Sequence, residues 1–261
     1  MENPIDKFED EKKKNIARLG QDKELWDSSL KWMLDVGRTG SYLYNFSWLG
    51  RPIIQYPQDI VGLQELIFDV KPDLIIEAGV AHGGSVVFTA SMLAMLDLCE
   101  AIENGQTINP SVSKRKVVGI DIDIRKHNRN LIEAHPMASR IHLVEGSSIE
   151  HGTVAQIKEF AKSYKNIMVI LDSNHTHDHV LGELQAYAAL VSVGNYCIVY
   201  DTLIDDMPDE SIENRDWGQG NSPKTAVHEC LKSNDNFEIQ KAIEHKLLIT
   251  VAPDGFLKRV K

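Results

Sequence analysis

The side chains able to do chemistry lie in two stretches of the chain. The first reads Asp172-Ser173-Asn174-His175-Thr176-His177-Asp178-His179, directly after the apolar run Ile167-Met168-Val169-Ile170-Leu171. An imidazole titrates near neutral pH, so it can take a proton from a hydroxyl as that oxygen attacks an electrophile. His175 is therefore the expected general base, with Asp172 as its catalytic neighbour, because titratable groups gather at sites. His177 and His179 read as supporting residues. Three imidazoles suggest Zn²⁺ or Fe²⁺, but these sit on one loop-to-helix turn and do not converge easily.

The second stretch runs from Asp73 to Ser85 and contains Glu77-Ala78-Gly79-Val80-Ala81-His82-Gly83-Gly84-Ser85. Leu74-Ile75-Ile76 reads as a buried parallel strand, and Val86 onward as an apolar helix. Glycine permits a sharp turn and close approach of a ligand, while the helix start offers unpaired N–H groups. Gly79, His82, Gly83 and Ser85 are expected on a ligand here. Glu77 at the strand end repels a pyrophosphate but suits a cationic amino-acid moiety.

One strand further on, Val117-Val118-Gly119-Ile120 ends in Asp121, whose carboxylate can accept from both ribose hydroxyls. Asp123 shares its face in an extended chain and is the second candidate for that contact. The combination points to S-adenosylmethionine rather than a dinucleotide. Gly146 and Ser147, after the strand Ile141–Glu145, are placed where an adenine edge would be read. In an open parallel sheet, ligands collect beyond the carboxyl ends of the strands. Glu77, Asp121, Asp172 and Asp201 should all fall there, with a cation among them: the sulfonium and ammonium of the cofactor, and Mg²⁺ as the oxygen-preferring metal.

These groups need a frame. Strands at 74–76, 117–121, 141–145, 167–171 and 196–200 alternate with helical stretches, which predicts an α/β fold: a Rossmann-like, doubly wound, mostly parallel sheet. Asp59 is expected to cap a helix ending at Phe68, and Arg125 to Met137 to form another. Phe237–Ile239 and Leu247–Val251 read as final strands, and Gly255–Lys258 as an extended end. Gly50 to Pro57 reads as an extended connector. The acidic segment Asp205-Asp206-Met207-Pro208-Asp209-Glu210, continuing through Trp217 to Pro223, is a long loop of the kind that covers a site. Residues 1–58 are expected as a helical, aromatic extension, a lid or an oligomer arm, and 59–261 as the catalytic domain.

The 261 residues are 43% hydrophobic and 25% charged, proportions of a globular protein. A net charge of −10 argues against a broad nucleic-acid surface and favours a small molecule or sugar as partner. Three separated cysteines, Cys99, Cys197 and Cys230, read as free thiols. With no secretory h-region and no expected membrane span, the expectation is a cytoplasmic protein and a homo-oligomer.

Four motifs, in order, resemble the cephalosporin hydroxylase and rhamnosyl O-methyltransferase family: Leu49-Gly50-Arg51-Pro52-Ile53-Ile54-Gln55-Tyr56-Pro57, Glu77 to Ser85, Asp172-Ser173-Asn174-His175, and Trp217-Gly218-Gln219-Gly220-Asn221-Ser222-Pro223. The resemblance runs from about Tyr42 to the C-terminus. It implies the class I methyltransferase fold and methyl transfer from S-adenosylmethionine to a hydroxyl of a sugar or glycosylated natural product, often with Mg²⁺. It also implies Asp172 and Asp201 as metal ligands and His175 as base. Tyr200 stands where such relatives carry a third, glutamate ligand. An oxygen-using hydroxylase and a non-catalytic partner that keeps the fold are the alternative readings.

Overall fold

The structure is a computed structural model that describes residues 3–110, 112–208 and 215–261. Asp209 and Glu210 of the expected acidic loop lie outside the described residues. Two helices open the chain, α1 (Pro4–Gln21) and α2 (Lys23–Gly40), within the extension that the sequence predicts to be helical. They part at Asp22, whose carboxylate accepts from Leu25 N at 3.0 Å and caps α2. A hairpin follows, β1 (Phe46–Trp48) and β2 (Arg51–Ile53), in part of what the sequence suggests is a plain connector. Leu49 and Gly50 both have positive φ, 44° and 86°, the geometry that lets a two-residue turn follow the strand twist.

The rest builds a seven-stranded sheet. Its elements are α3 (Pro57–Val70), β3 (Leu74–Ala78), α4 (Gly84–Glu103), β4 (Lys116–Asp121), α5 (Lys126–Glu133), β5 (Ile141–Glu145) and α6 (His151–Ala161). Then come β6 (Ile167–Leu171), α7 (His177–Tyr187), β7 (Tyr196–Val199), α8 (Pro223–Ser233), β8 (Phe237–Ile239), α9 (Lys241–Leu247) and β9 (Phe256–Arg259). The strand order is β5-β4-β3-β6-β7-β9-β8, and only β9 runs antiparallel to its neighbours. Every residue of β3 and β6 is buried, as expected of central strands covered on both faces. Ile75, Met168 and Ile198 pack with α3 and α4 on one face, and Ile76, Val169 and Cys197 with α6, α7 and α8 on the other.

Several boundaries differ from expectation for local reasons. Asp59 does not cap α3; Tyr56 holds that position, and Pro57 starts the helix. Asp59 instead turns inward, accepting from Thr250 Oγ1 at 2.5 Å and Val251 N at 3.0 Å. Those contacts hold the apolar run at 247–251 against α3, so it is not a strand; Phe256–Arg259 takes the sheet position between β7 and β8. The helix expected from Arg125 to Met137 closes at Glu133. Helix α4 is long and apolar enough to cross a membrane by length and composition, which the sequence reading did not anticipate. It packs against the sheet and the hairpin, with Val86, Val87, Phe88, Ala90 and Leu93 fully buried.

The aromatic N-terminal region is tied to this body. Trp32, Tyr42, Phe46 and Tyr56 form a chain of ring contacts, while Trp48 meets Phe88 edge-on and donates to Ser91 Oγ at 2.9 Å. Of the cysteines, all free, only Cys197 is fully buried.

The chain leaves β3 toward β4 and β5 on one side, then returns to β6 on the other, so the sheet's direction switches at the β3–β6 boundary. There the two backbones touch: a Cβ on Gly79, whose φ is +101°, would run into the carbonyl oxygen of Asp172. Gly79→Ala should therefore destabilise the protein by about 1–3 kcal/mol, read as a lowered urea midpoint.

Candidate active site

The switch point opens into a cleft of about 410 Å³, within the usual size of a cofactor site. It is lined by Gly79, His82 and Ser85 from the glycine turn, Asp172, Ser173 and His175 from the loop after β6, and Asp201 after β7. Tyr44, Ile204, Met207, Arg215 and Trp217 complete the outer wall. Six residues singled out in the sequence are thus brought together: Gly79, His82, Ser85, Asp172, His175 and Asp201.

Six others are near but do not line it. Glu77 lies one layer down, 1% exposed, accepting from Thr89 Oγ1 at 3.2 Å. Gly83 faces α5, since a Cβ there would meet Ile132. Asp121 spends its carboxylate on the chain itself: Oδ2 accepts from Val80 N at 2.9 Å and Ala81 N at 3.1 Å, and Oδ1 from Asp123 N at 3.1 Å. Asp123 points outward, its side chain 72% exposed and 4.0 Å from Arg125. Gly146 and Ser147 sit after β5, off the lining. The gathering of four carboxylates is thus narrower than expected: Asp172 feels Asp201 and Glu77, with Asp121 set apart at the turn.

His175 is held by two contacts. Its Nδ1 is 3.4 Å from Asp201 Oδ2, and its ring meets Trp217 edge-on at 5.4 Å. The covering loop is anchored in turn, because Asn221 Oδ1 accepts from His177 N at 2.9 Å and Asp205 Oδ1 from Gly220 N at 2.8 Å. The three imidazoles diverge: His177 Nδ1 is 2.8 Å from Thr225 Oγ1, and His179 Nε2 is 3.0 Å from Ser148 Oγ. Among the described residues no group of three or more His, Cys, Asp or Glu side chains could hold a metal.

The electrostatics explain what the cleft would accept. Burial raises the Asp172 carboxyl well above its ordinary range, and the negative charges of Asp201 and Glu77 push it further. Burial likewise brings Glu77 to about 7, against hydrogen bonds from Ser85 and Thr89. A cation between Asp172 and Asp201 would relieve this repulsion. Tyr200 is turned away from the cleft into the buried layer beside Glu77 and Asp172, so it adds no ligand to the cleft. Two carboxylates fit a Mg²⁺ that keeps waters or takes acceptor oxygens, rather than one held in an all-protein cage.

A family model described as rhamnosyl O-methyltransferase/CmcI matches residues 40–260. The chain belongs to the rhamnosyl O-methyltransferase/CmcI family. Its relatives include rhamnosyl O-methyltransferases of Mycobacterium bovis, 30% identical over 77% of this chain and 73% of the relative, and of Mycobacterium leprae, 27% identical over 84% and 86%. A solved CmcI structure with Mg and SAM superposes with a TM-score of 0.54 at 16% identity, covering 84% of this chain and 78% of that one. That similarity establishes the shared class I methyltransferase fold.

In this family member the sequence reading assigned no role to three residues that build the site. Arg51, 7% exposed, donates from Nε to His82 O at 3.0 Å and from Nη2 to Asn128 Oδ1 at 3.0 Å, while Asn128 Nδ2 donates to Ala81 O at 3.0 Å. Together they clamp the carbonyls of the glycine turn. Gln55 Nε2 donates to Asp172 Oδ2 at 3.3 Å. Arg51 and Gln55 both lie in the quoted Leu49–Pro57 motif, which was the available signal; Asn128 had none.

Because Glu77's folded pKa of about 7 lies above its ordinary 4.5, the unliganded protein loses stability as pH rises between those values. Glu77→Gln should remove that loss and gain up to ~3 kcal/mol on the wild type from acid to alkaline pH, checked by urea unfolding at both ends. Asp59, also raised to about 7 by burial, is present in both proteins and cancels.

Proposed function

We propose that this chain is an S-adenosylmethionine-dependent O-methyltransferase acting on a hydroxyl of a saccharide, with Mg²⁺ assistance. The observation that carries the reading is the His175–Asp201 pair facing the glycine turn across one cleft, with Asp172 between them in the lining. Family membership supports it, as do the names of the mycobacterial relatives, which are rhamnosyl O-methyltransferases.

The cofactor, when bound, supplies a methyl group on a positively charged sulfur, an electrophile that an oxygen lone pair can attack. The chain's own residues do the rest. The glycine turn, held by Asp121 from one side and by Arg51 and Asn128 from the other, provides a rigid wall against which a ligand can be oriented. Asp172 and Glu77 favour positive charge at the amino-acid and sulfonium end, and Asp121 with Asp123 are the candidates at the ribose rim. Gly146 and Ser147, beyond the lining after β5, are the candidates at the adenine end.

Asp201 fixes the ring of His175 through Nδ1, leaving Nε2 as the basic atom that takes the acceptor's hydroxyl proton. The imidazolium formed is stabilised by the same carboxylate. Mg²⁺ would be held by Asp172 and Asp201, where it would acidify an acceptor hydroxyl. Trp217 and Tyr44 offer flat apolar faces for a sugar ring beside the base. The assignment of residues 1–58 as an extension to a catalytic domain at 59–261, and self-association through exposed Ile5 and Phe8 of α1, belong to the same proposal.

Calorimetry with S-adenosylhomocysteine should show binding, and a rhamnosyl acceptor with S-adenosylmethionine should release S-adenosylhomocysteine, faster with Mg²⁺. His175→Ala should lower kcat by about 10²- to 10⁴-fold with the affinity for S-adenosylhomocysteine unchanged. Failure of the wild type to bind either form of the cofactor would overturn the reading; full activity of the His175 variant would remove its assignment as base.

A further inference from the structure

Helix α7 presents three polar residues at four-residue spacing, His179, Glu183 and Tyr187, and all three hold one residue of a distant loop. Ser148, 5% exposed and just beyond β5, donates from Oγ to Glu183 Oε1 at 2.5 Å. With that proton committed, His179 Nε2, 3.0 Å away, is the donor to the same hydroxyl. Tyr187 donates its phenol to Ser148 O at 2.5 Å. The same Glu183 oxygen also accepts from Ser173 Oγ at 2.6 Å, and Ser173 lines the cleft next to Asp172.

This arrangement joins places that the sheet keeps apart. β5 and β6 are separated by β4 and β3, a gap of about 14 Å at ordinary strand spacing. A single oxygen nevertheless collects hydroxyls from the loops that follow both. Glu183 is completely buried, and its other oxygen, Oε2, has no hydrogen-bond partner among the described residues. A buried acid with one oxygen unpaired costs stability, yet Oε1 gathers both hydroxyls and lies 3.5 Å from His179 Nε2. Two hydroxyls pulled onto one acceptor draw the two loops toward each other.

We propose that Glu183 is a positioning residue that sets the width of the adenine slot, tying the loop after β5 to the loop that carries Asp172 and His175. The inference rests on the cofactor reading given above, in which Gly146 and Ser147 meet the base. Glu183 touches neither cofactor nor acceptor; it acts through Ser148 and Ser173. Cofactor seating and placement of the base are thereby coupled, since either loop can move only if the other does or the tie breaks.

The test compares S-adenosylhomocysteine with 5′-methylthioadenosine, which shares its adenosine half and lacks the amino-acid end, by calorimetry on full-length protein. Glu183→Ala should weaken 5′-methylthioadenosine by about tenfold and S-adenosylhomocysteine by at least that factor, because the adenosine half is common to both and the second tied loop carries Asp172 at the amino-acid end. Glu183→Gln keeps an oxygen that accepts both hydroxyls and should restore both affinities to within about threefold of wild type. A folded Glu183→Ala variant with unchanged affinity, or one weakened for S-adenosylhomocysteine alone, would overturn the proposal, as would a glutamine variant as weak as alanine. Should Glu183→Ala fail to fold, Ser173→Ala at the exposed end of the tie carries the same test: weakening of both ligands supports the proposal, and unchanged affinity, or a loss for S-adenosylhomocysteine alone, defeats it. Absence of binding by the wild type would instead count against the cofactor reading.

Discussion

The site depends on a contact between two backbones. Where β3 and β6 end side by side, the turn after β3 leans on the carbonyl of Asp172 so closely that only a residue without a side chain can occupy position 79. That approach puts the glycine turn and the loop of Asp172 and His175 on opposite walls of one cleft. Topology creates the opening, because the chain leaves β3 for α4 on one face of the sheet and leaves β6 for α7 on the other. A further close approach supports it: Gly84 meets the backbone of Pro52, seating the hairpin on the start of α4 and bringing Arg51 to the turn.

Around that contact, charge is layered by depth. Glu77 and Asp59 are wholly buried and each is brought to about 7 by loss of solvent. Asp172 and Asp201 stand nearer the opening, and Asp172 rises because the others are close. The Tyr200 phenol lies among them, and burial raises it well above its ordinary value, so it stays neutral. A set of acids held this close disfavours its own ionisation. Binding a cation in the cleft and ionising Asp172 are therefore linked, each favouring the other. The fold places its least comfortable charges where a positive ligand would settle.

The loops that shape the cleft are fixed mostly by side chains that accept or donate to backbone from elsewhere in the chain. Asp121 takes two N–H groups of the glycine turn, Asn128 and Arg51 take its carbonyls, and Asn221 takes an N–H of the loop after β6. Such ties organise irregular segments without regular secondary structure and satisfy polar groups that would otherwise be buried unpaired. They also account for the difference between motif and lining. Asp121 looks like a ligand contact in the sequence, yet in the fold its first task is to hold the turn.

Much of the frame was legible from apolar runs and their spacing. The strands at 74–76, 117–121, 141–145 and 167–171 are short, mostly apolar segments bounded by turn residues, a pattern with few alternatives when helices intervene. The residues of the lining were legible where they follow such a strand immediately, as with Gly79, Asp172 and Asp201, since strand ends in a parallel sheet share an edge. What the sequence could not determine was how side chains divide their bonds once distant segments meet. The run at 247–251 has strand composition, but Asp59, some 190 residues earlier, captures Thr250 and Val251. Arg51 and Asn128, and Ser148 and Glu183, become partners only when the sheet brings their loops together. Local periodicity determines which segments are strands and helices; the partner of a buried charge is a long-range choice, made by whichever polar group the packed chain leaves within reach.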